Sequence, residues 1–187
     1  MGHFGTKEGI SVQNISTLIV RRKPGRFRHQ GILIAGNQSF DCVLGRGGIG
    51  VNKMEGDGKT PIGHFPLLYG FYRKDRVHSP STWLSMRAIR PSDGWCDASE
   101  HPNYNGLIER PFKASHEAMS RADHLYDICL VMDYNIFPRA RYRGSAIFFH
   151  LASLEGKATE GCIALSLPVM QKLLPRLAKN VAIKVLG

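Results

Sequence analysis

No stretch of this 187-residue sequence reaches the roughly 18 consecutive apolar residues that a membrane-crossing helix needs, so no membrane span is expected. Residues 1–10 carry Lys7 and Glu8 and no apolar core, so no secretory signal is visible there. Cysteine is scarce. Cys42, Cys96, Cys129 and Cys162 are scattered and form no CxxC pair, which is too little for a disulfide scaffold and the wrong spacing for zinc. No metal and no cofactor is expected. Repeats, low-complexity tracts and inter-domain linkers are missing too. The length suits one domain that buries about two-thirds of its unfolded surface. The chain therefore reads as a single domain over residues 1–187, with 1–12 as a flexible N-terminal extension.

What is present in excess is positive charge, +10 formally. It would attract nucleic acid, anionic lipid or an acidic polymer, and charge alone does not choose among them. A basic nucleic-acid-binding module is one alternative, but no zinc-finger, RNP, KH or helix-turn-helix pattern accompanies the charge, so no nucleic acid partner is expected. The densest run, Arg21-Arg22-Lys23 with Arg26 and Arg28 around Pro24-Gly25, reads as a solvated hairpin tip.

Apolar runs at 15–20, 31–35 and 40–44, separated by Pro24-Gly25 and Gly36-Asn37, predict a β-meander. Residues 45–63 hold too many glycines for a helix and predict a long shaped loop. A strand is expected over 65–71, and a long ordered loop over 91–111 whose Trp95 and Tyr104 cover something. The spacing of Ala114, Ala118, Met119, Ala122 and Leu125 predicts a helix over 113–125. Buried strands follow at 128–132 and 146–151, a short helix from Pro168 to about Leu177, and a strand over 181–186. Strands dominate and no βαβ alternation is seen, so the fold class is mainly β, a sandwich or barrel with two short helices.

Two motif fragments fail on context. Residues 45–50 spell GxGxxG, yet no helix follows, and Gly58-Lys59-Thr60 lacks the earlier glycine of a phosphate-binding loop. The residues that fit a chemistry are Phe148-Phe149-His150-Leu151 and Thr159-Glu160-Gly161-Cys162-Ile163. A His ends one apolar strand and a Cys begins the next, and twelve residues suit a strand, a loop and a return strand that bring imidazole and sulfur together. A free thiol ionises near 8.5 and needs a neighbouring base to act at neutral pH. Gly161 opens the approach to the sulfur and frees backbone N–H groups for a developing oxyanion. These are the parts of an acyl-transfer site.

The stretch from His150 through Thr159-Glu160-Gly161-Cys162-Ile163 is similar to the signature of the YkuD-like L,D-transpeptidase family. Gly56-Asp57-Gly58-Lys59-Thr60-Pro61-Ile62-Gly63-His64-Phe65 resembles a second segment of that family. The likeness covers most of the chain after Ile32, including residues 93–105, 132–135 and 143–147. It implies a β-sandwich with small helices and a peptidoglycan L,D-transpeptidase. Cys162 would be its nucleophile, His150 its base, oriented by the Leu151 carbonyl, and the N–H groups at Glu160, Gly161 and Cys162 its oxyanion donors. The partners implied are peptidoglycan stem peptides, as donor and acceptor, and carbapenem-type β-lactams as covalent inhibitors. Tyr134, Asn135, Thr159, Glu160 and Trp95 would line the substrate groove, and Arg143 would meet a stem carboxylate. A carboxypeptidase or amide hydrolase on the same scaffold is the alternative. A periplasmic or cell-wall location is implied, with a cytoplasmic one left open. Glu160 and Ala164 depart from the family's usual residues beside the sulfur; Glu160 is expected to face His150, solvent or a substrate amine.

Overall fold

The computed structural model describes residues 14–25 and 27–187, so the expected extension at 1–12 lies outside the described residues. Its strands are β1 (Ile15–Arg22), β2 (Gln30–Ala35), β3 (Gln38–Val43), β4 (Ile49–Gly50), β5 (Thr60–Pro61), β6 (Gly63–Tyr72) and β7 (Met86–Ala88). They continue as β8 (Asp93–Cys96), β9 (Gly106–Glu109), β10 (His116–Ala118), β11 (Ile128–Met132), β12 (Phe148–Leu151), β13 (Ile163–Leu165) and β14 (Leu177–Val185). One helix, α1 (Leu167–Leu173), and a 3₁₀ turn (Leu174–Arg176) lie between β13 and β14.

The meander expected at the start forms as β1, β2 and β3, joined antiparallel. The large sheet runs β11-β12-β13-β3-β2-β1-β14-β6-β7, and β11 also pairs with β6. That second pairing closes eight of the strands on themselves and leaves β7 as an appendage on β6. β11, the run Ile-Cys-Leu-Val-Met, is buried at every position because strands flank both edges and side chains cover both faces. Alternation along β12 separates two apolar groups. Phe149 and Leu151 join a main core with Leu130, Ile163 and Leu165, and Phe148 joins a second group with Trp95, Tyr126, Cys129 and Cys162.

The class is mainly β as the sequence indicates, but among the described residues there is one α-helix where two were expected. Residues 113–125 are not helical: 116–118 form β10, which pairs antiparallel with β8 so that Glu117 faces Trp95 in register. A helix of that length is marginal by itself. The open edge of β8 supplied hydrogen bonds, and Met119 buried itself beside Trp95 and Phe148. The loop expected over 91–111 contains a hairpin, β8 with β9, and with β10 it makes a three-stranded sheet. The helix expected from Pro168 begins one residue earlier, carries Pro168 in its first turn, and buries Met170 and Leu173. Of the basic run, Arg22 and Lys23 sit at the end of β1, where Lys23 pairs with Asp41 and Arg22 donates to the Gly25 carbonyl.

Candidate active site

β12 and β13 lie side by side in parallel, Phe149 opposite Ile163 and His150 opposite Ala164. Cys162, just before β13, thus reaches the level of Phe148, two residues below His150. The strand does not return antiparallel, as the spacing had been read. Parallel pairing instead sends residues 152–162 back across the front of the site. His150 and Cys162 line one cavity of about 560 Å³, whose wall includes Ala152, Ser153, Lys157 and Thr159 from that crossing segment.

Both side chains are almost fully buried, His150 at 3% and Cys162 at 7% exposure. The imidazole Nδ1 lies 2.7 Å from the Leu151 carbonyl. A carbonyl only accepts, so Nδ1 carries the proton and Nε2 keeps its lone pair. The Tyr126 ring meets the imidazole edge-on at 5.3 Å, which fixes its plane. The Cys162 thiol donates to the Ala146 carbonyl at 3.1 Å, and Sγ accepts the Phe148 N–H at 3.4 Å. Burial pushes the thiol up to about 12 and the imidazole down to about 4. At neutral pH the resting pair is therefore neutral on both sides, a thiol and an imidazole, and not a thiolate–imidazolium pair.

Burial of His150 also couples to stability. A histidine ordinarily titrates at 6.5, and this one only at about 4 when folded. Between those values the unfolded chain binds a proton that the folded chain refuses, so stability falls as pH falls from 6.5 towards 4. Above 6.5 the effect vanishes. The loss is roughly 3 kcal/mol by pH 4. Denaturation midpoints measured at pH 7 and pH 4.5 are expected to separate more in the wild type than in His150→Gln, and equal separations would contradict this burial cost.

The Gly56–Phe65 segment, which made the sequence likeness specific, builds the floor beneath the cysteine. Gly161 has φ +135°, and a Cβ there would lie 2.7 Å from the Lys59 carbonyl, so only glycine fits. The Thr159 N–H donates to the Leu44 carbonyl, the Arg46 N–H to the Thr159 carbonyl, and the Gly47 N–H to the Gly58 carbonyl. Asp57 shapes this floor: its carboxylate accepts from Lys53 Nζ and from the N–H groups of Met54 and Lys59, each at 2.8 Å. Burial alone would raise the Asp57 pKa, but these bonds and the Lys53 charge outweigh it and hold the group below its usual range. Lys53 itself is buried under Gly161 and Gly144.

Of the residues expected in the groove, Thr159 and Glu160 border the Cys162 cavity. Thr159 Oγ1 donates to the Cys162 carbonyl at 2.7 Å and accepts the Gly161 N–H at 3.2 Å, which shapes the turn holding the sulfur. Glu160 pairs with Arg46 at 2.8 Å on the exposed rim, so its charge is turned to Arg46 and not to His150. Tyr134, Asn135 and Arg143 are placed elsewhere, around a separate depression of about 270 Å³. Tyr134 OH donates to the Arg143 carbonyl, and the Asn135 amide staples Ala140 and Gly144. Trp95 is core: it is 1% exposed, packs edge-on to Phe148 at 5.0 Å and donates to Asn105.

Sequence reasoning missed Glu117, Arg121 and Tyr126, which line the cavity from the stretch expected as a helix over 113–125 and from the residue just after it. Arg121 is held bidentately by Asp123 and lies over the Tyr126 ring at 5.0 Å. It is the guanidinium of this cavity, the place the sequence had given to Arg143. Only Ser120 and Asp123, both turn formers, hinted that the helix would fail.

A strand-rich chain that sets a His on one strand and a Cys at the entry of its parallel neighbour, both lining one cavity, has the build of an L,D-transpeptidase-type enzyme. The model of the YkuD family, the L,D-transpeptidase catalytic domain, matches residues 26–185, and the chain belongs to that family. Among solved structures it is similar to Mycobacterium tuberculosis L,D-transpeptidase 1, with 14% identity and a TM-score of 0.38, over 91% of this chain and 62% of that one. The chain thus spans less than two-thirds of that structure's length. No curated protein matches the sequence.

Proposed function

We propose that this chain is a cysteine-dependent L,D-transpeptidase that joins peptidoglycan stem peptides through a thioester on Cys162. The observation that carries the reading is the placement of His150 and Cys162 in one cavity, with His150 Nε2 unprotonated and Nδ1 tied to Leu151. Because the thiol rests neutral, sulfur attacks the carbonyl of the third, diamino residue while His150 takes its proton. His150 then gives that proton to the departing amine, and the terminal D-Ala leaves. The N–H groups of Glu160, Gly161 and Cys162 are the donors nearest the oxyanion, with the Gly161 N–H already shared with Thr159 Oγ1. An amine from a second stem resolves the thioester and leaves two third residues joined. The chain acts as one catalytic domain, at the periplasmic or cell-wall face where its substrate lies.

Mass spectrometry of tetrapeptide stems incubated with the enzyme tests this. Loss of D-Ala, a dimer joined between third residues, and a carbapenem adduct on Cys162 are expected. Stems shortened without any dimer would make the protein a carboxypeptidase, and unaltered stems with an unmodified Cys162 would remove the reading altogether.

A further inference from the structure

The cavity around Cys162 is acidic although the chain carries +10: six carboxylates line it against two cations, Arg121 and Lys157. Several of those carboxylates are already engaged. Glu55 accepts from Tyr104 and Ser145, Asp123 holds Arg121, and Glu160 holds Arg46. Glu117, on β10, is engaged through one oxygen only. Tyr126 OH donates to its Oε2 at 2.5 Å, and among the described residues no donor reaches Oε1. The Tyr126 ring that holds Glu117 is the ring that packs on His150, so the carboxylate stands one aromatic ring from the imidazole.

An amine acceptor poses a problem that this arrangement answers. An alkylammonium ordinarily holds its proton to about 10.4 and must shed it before its nitrogen can attack, while His150 is committed to carrying the last proton back to the Cys162 sulfur. We propose that Glu117 receives the ammonium of the acceptor and takes its first proton, so that the thioester on Cys162 is resolved by an amine in preference to water. This rests on the acyl-enzyme reading above. The ammonium gives one proton to the Glu117 carboxylate, and the amine nitrogen then attacks the thioester carbonyl. As the C–N bond forms and the C–S bond breaks, the second proton passes through His150 to the leaving sulfur. The products are an amide, the Cys162 thiol and a protonated Glu117, which returns its proton to solvent.

Charged and titratable groups face Glu117 from every side. Asp97 follows β8, Glu55 comes from the loop before β5, and Arg121 and Tyr126 come from the segment before β11. Burial, with Asp97 and Glu55, raises the proton affinity of Glu117 against the opposing pull of Tyr126 and Arg121. That suits a group that must accept a proton.

The test acylates the full chain with a tetrapeptide donor, follows D-Ala release, and measures the ratio of amine-resolved to water-resolved product with Nα-acetyl-lysine amide as acceptor. In Glu117→Gln the ratio is expected to fall about 100-fold, the worth of one general base, and what remains should rise with pH as free amine appears. Tyr126→Phe keeps the carboxylate and removes its donor, so the ratio should persist with its pH rise displaced upward. An unchanged ratio in Glu117→Gln overturns the inference, as does an equal fall in both variants without any pH displacement, since that marks a packing contact only. Absence of D-Ala release in the wild type overturns the function reading as well, which separates the two failures.

Discussion

Cys162→Ala is expected to leave a folded protein whose turnover on stem peptides falls on the order of 10⁴-fold or more, and to which a carbapenem no longer adds mass. The sulfur sits in the small apolar group with Phe148, Trp95 and Cys129, where alanine removes one atom and leaves the packing close to native. The loss would therefore be chemical. His150→Ala should cost a similar factor, because the neutral thiol cannot attack without a base, and with Nδ1 tied to Leu151 the free lone pair of His150 is on Nε2. The two losses should not add in the double variant, since base and nucleophile act as a unit. Circular dichroism and a thermal melt beside the kinetic assay separate lost chemistry from lost fold. Undiminished turnover in Cys162→Ala would end the thioester mechanism.

Asn105→Ala is expected to be the most damaging change away from the reacting atoms, at about 3–5 kcal/mol and a Tm lower by roughly 10 °C. Asn105 is 1% exposed and makes four side-chain bonds: it accepts from Trp95 Nε1 and the Ala146 N–H, each at 3.0 Å, and donates to the carbonyls of Tyr134 and Asn135. Truncation strands a buried indole N–H and a buried backbone N–H. It also leaves alanine at φ +52°, a conformation that asparagine tolerates better. Asn105→Gly relieves the backbone term and keeps the hydrogen-bond loss, so most of the destabilisation should remain. Recovery of wild-type stability in Asn105→Gly would assign the cost to backbone strain. The bond to Ala146 matters for chemistry too, because Ala146, itself at φ +51°, offers the carbonyl that holds the Cys162 thiol.

The parts of the fold legible in the sequence are those where one pattern dominates. The meander carried turn signals between apolar runs, and β11 was a five-residue apolar run with no competing period. Thr159 through Cys162 and Gly56 through Phe65 were legible because close backbone approach demands glycine there, and the contacts of Gly161 and Gly45 with Lys59 and Gly58 give the reason. Residues 113–125 were illegible for the converse reason. Their apolar spacing fits a helix, and only the unpartnered edge of β8, distant in sequence, makes them pair as a strand. The cavity wall at Glu117 and Arg121 was hidden by the same misreading. Tyr134, Asn135 and Arg143 were expected in the substrate groove, and the structure sets them as loop staples around a neighbouring depression.

The parallel ladder of β12 and β13 separates two tasks that a hairpin would merge. A strand of four residues spans roughly 13 Å, so the chain leaving Leu151 must retrace that length outside the sheet before Ile163 can enter it. The height of His150 over Cys162 is set by the ladder together with the bonds of Thr159 to Leu44, Arg46 and Cys162, and residues 153–158 between them bond among themselves. Residues 153–158, with the fully exposed Leu154 at their crest, are thus a cassette. Lengthening or recolouring it would reshape the cavity wall while His150 and Cys162 keep their spacing, so the shape of the pocket is free to drift without moving the pair.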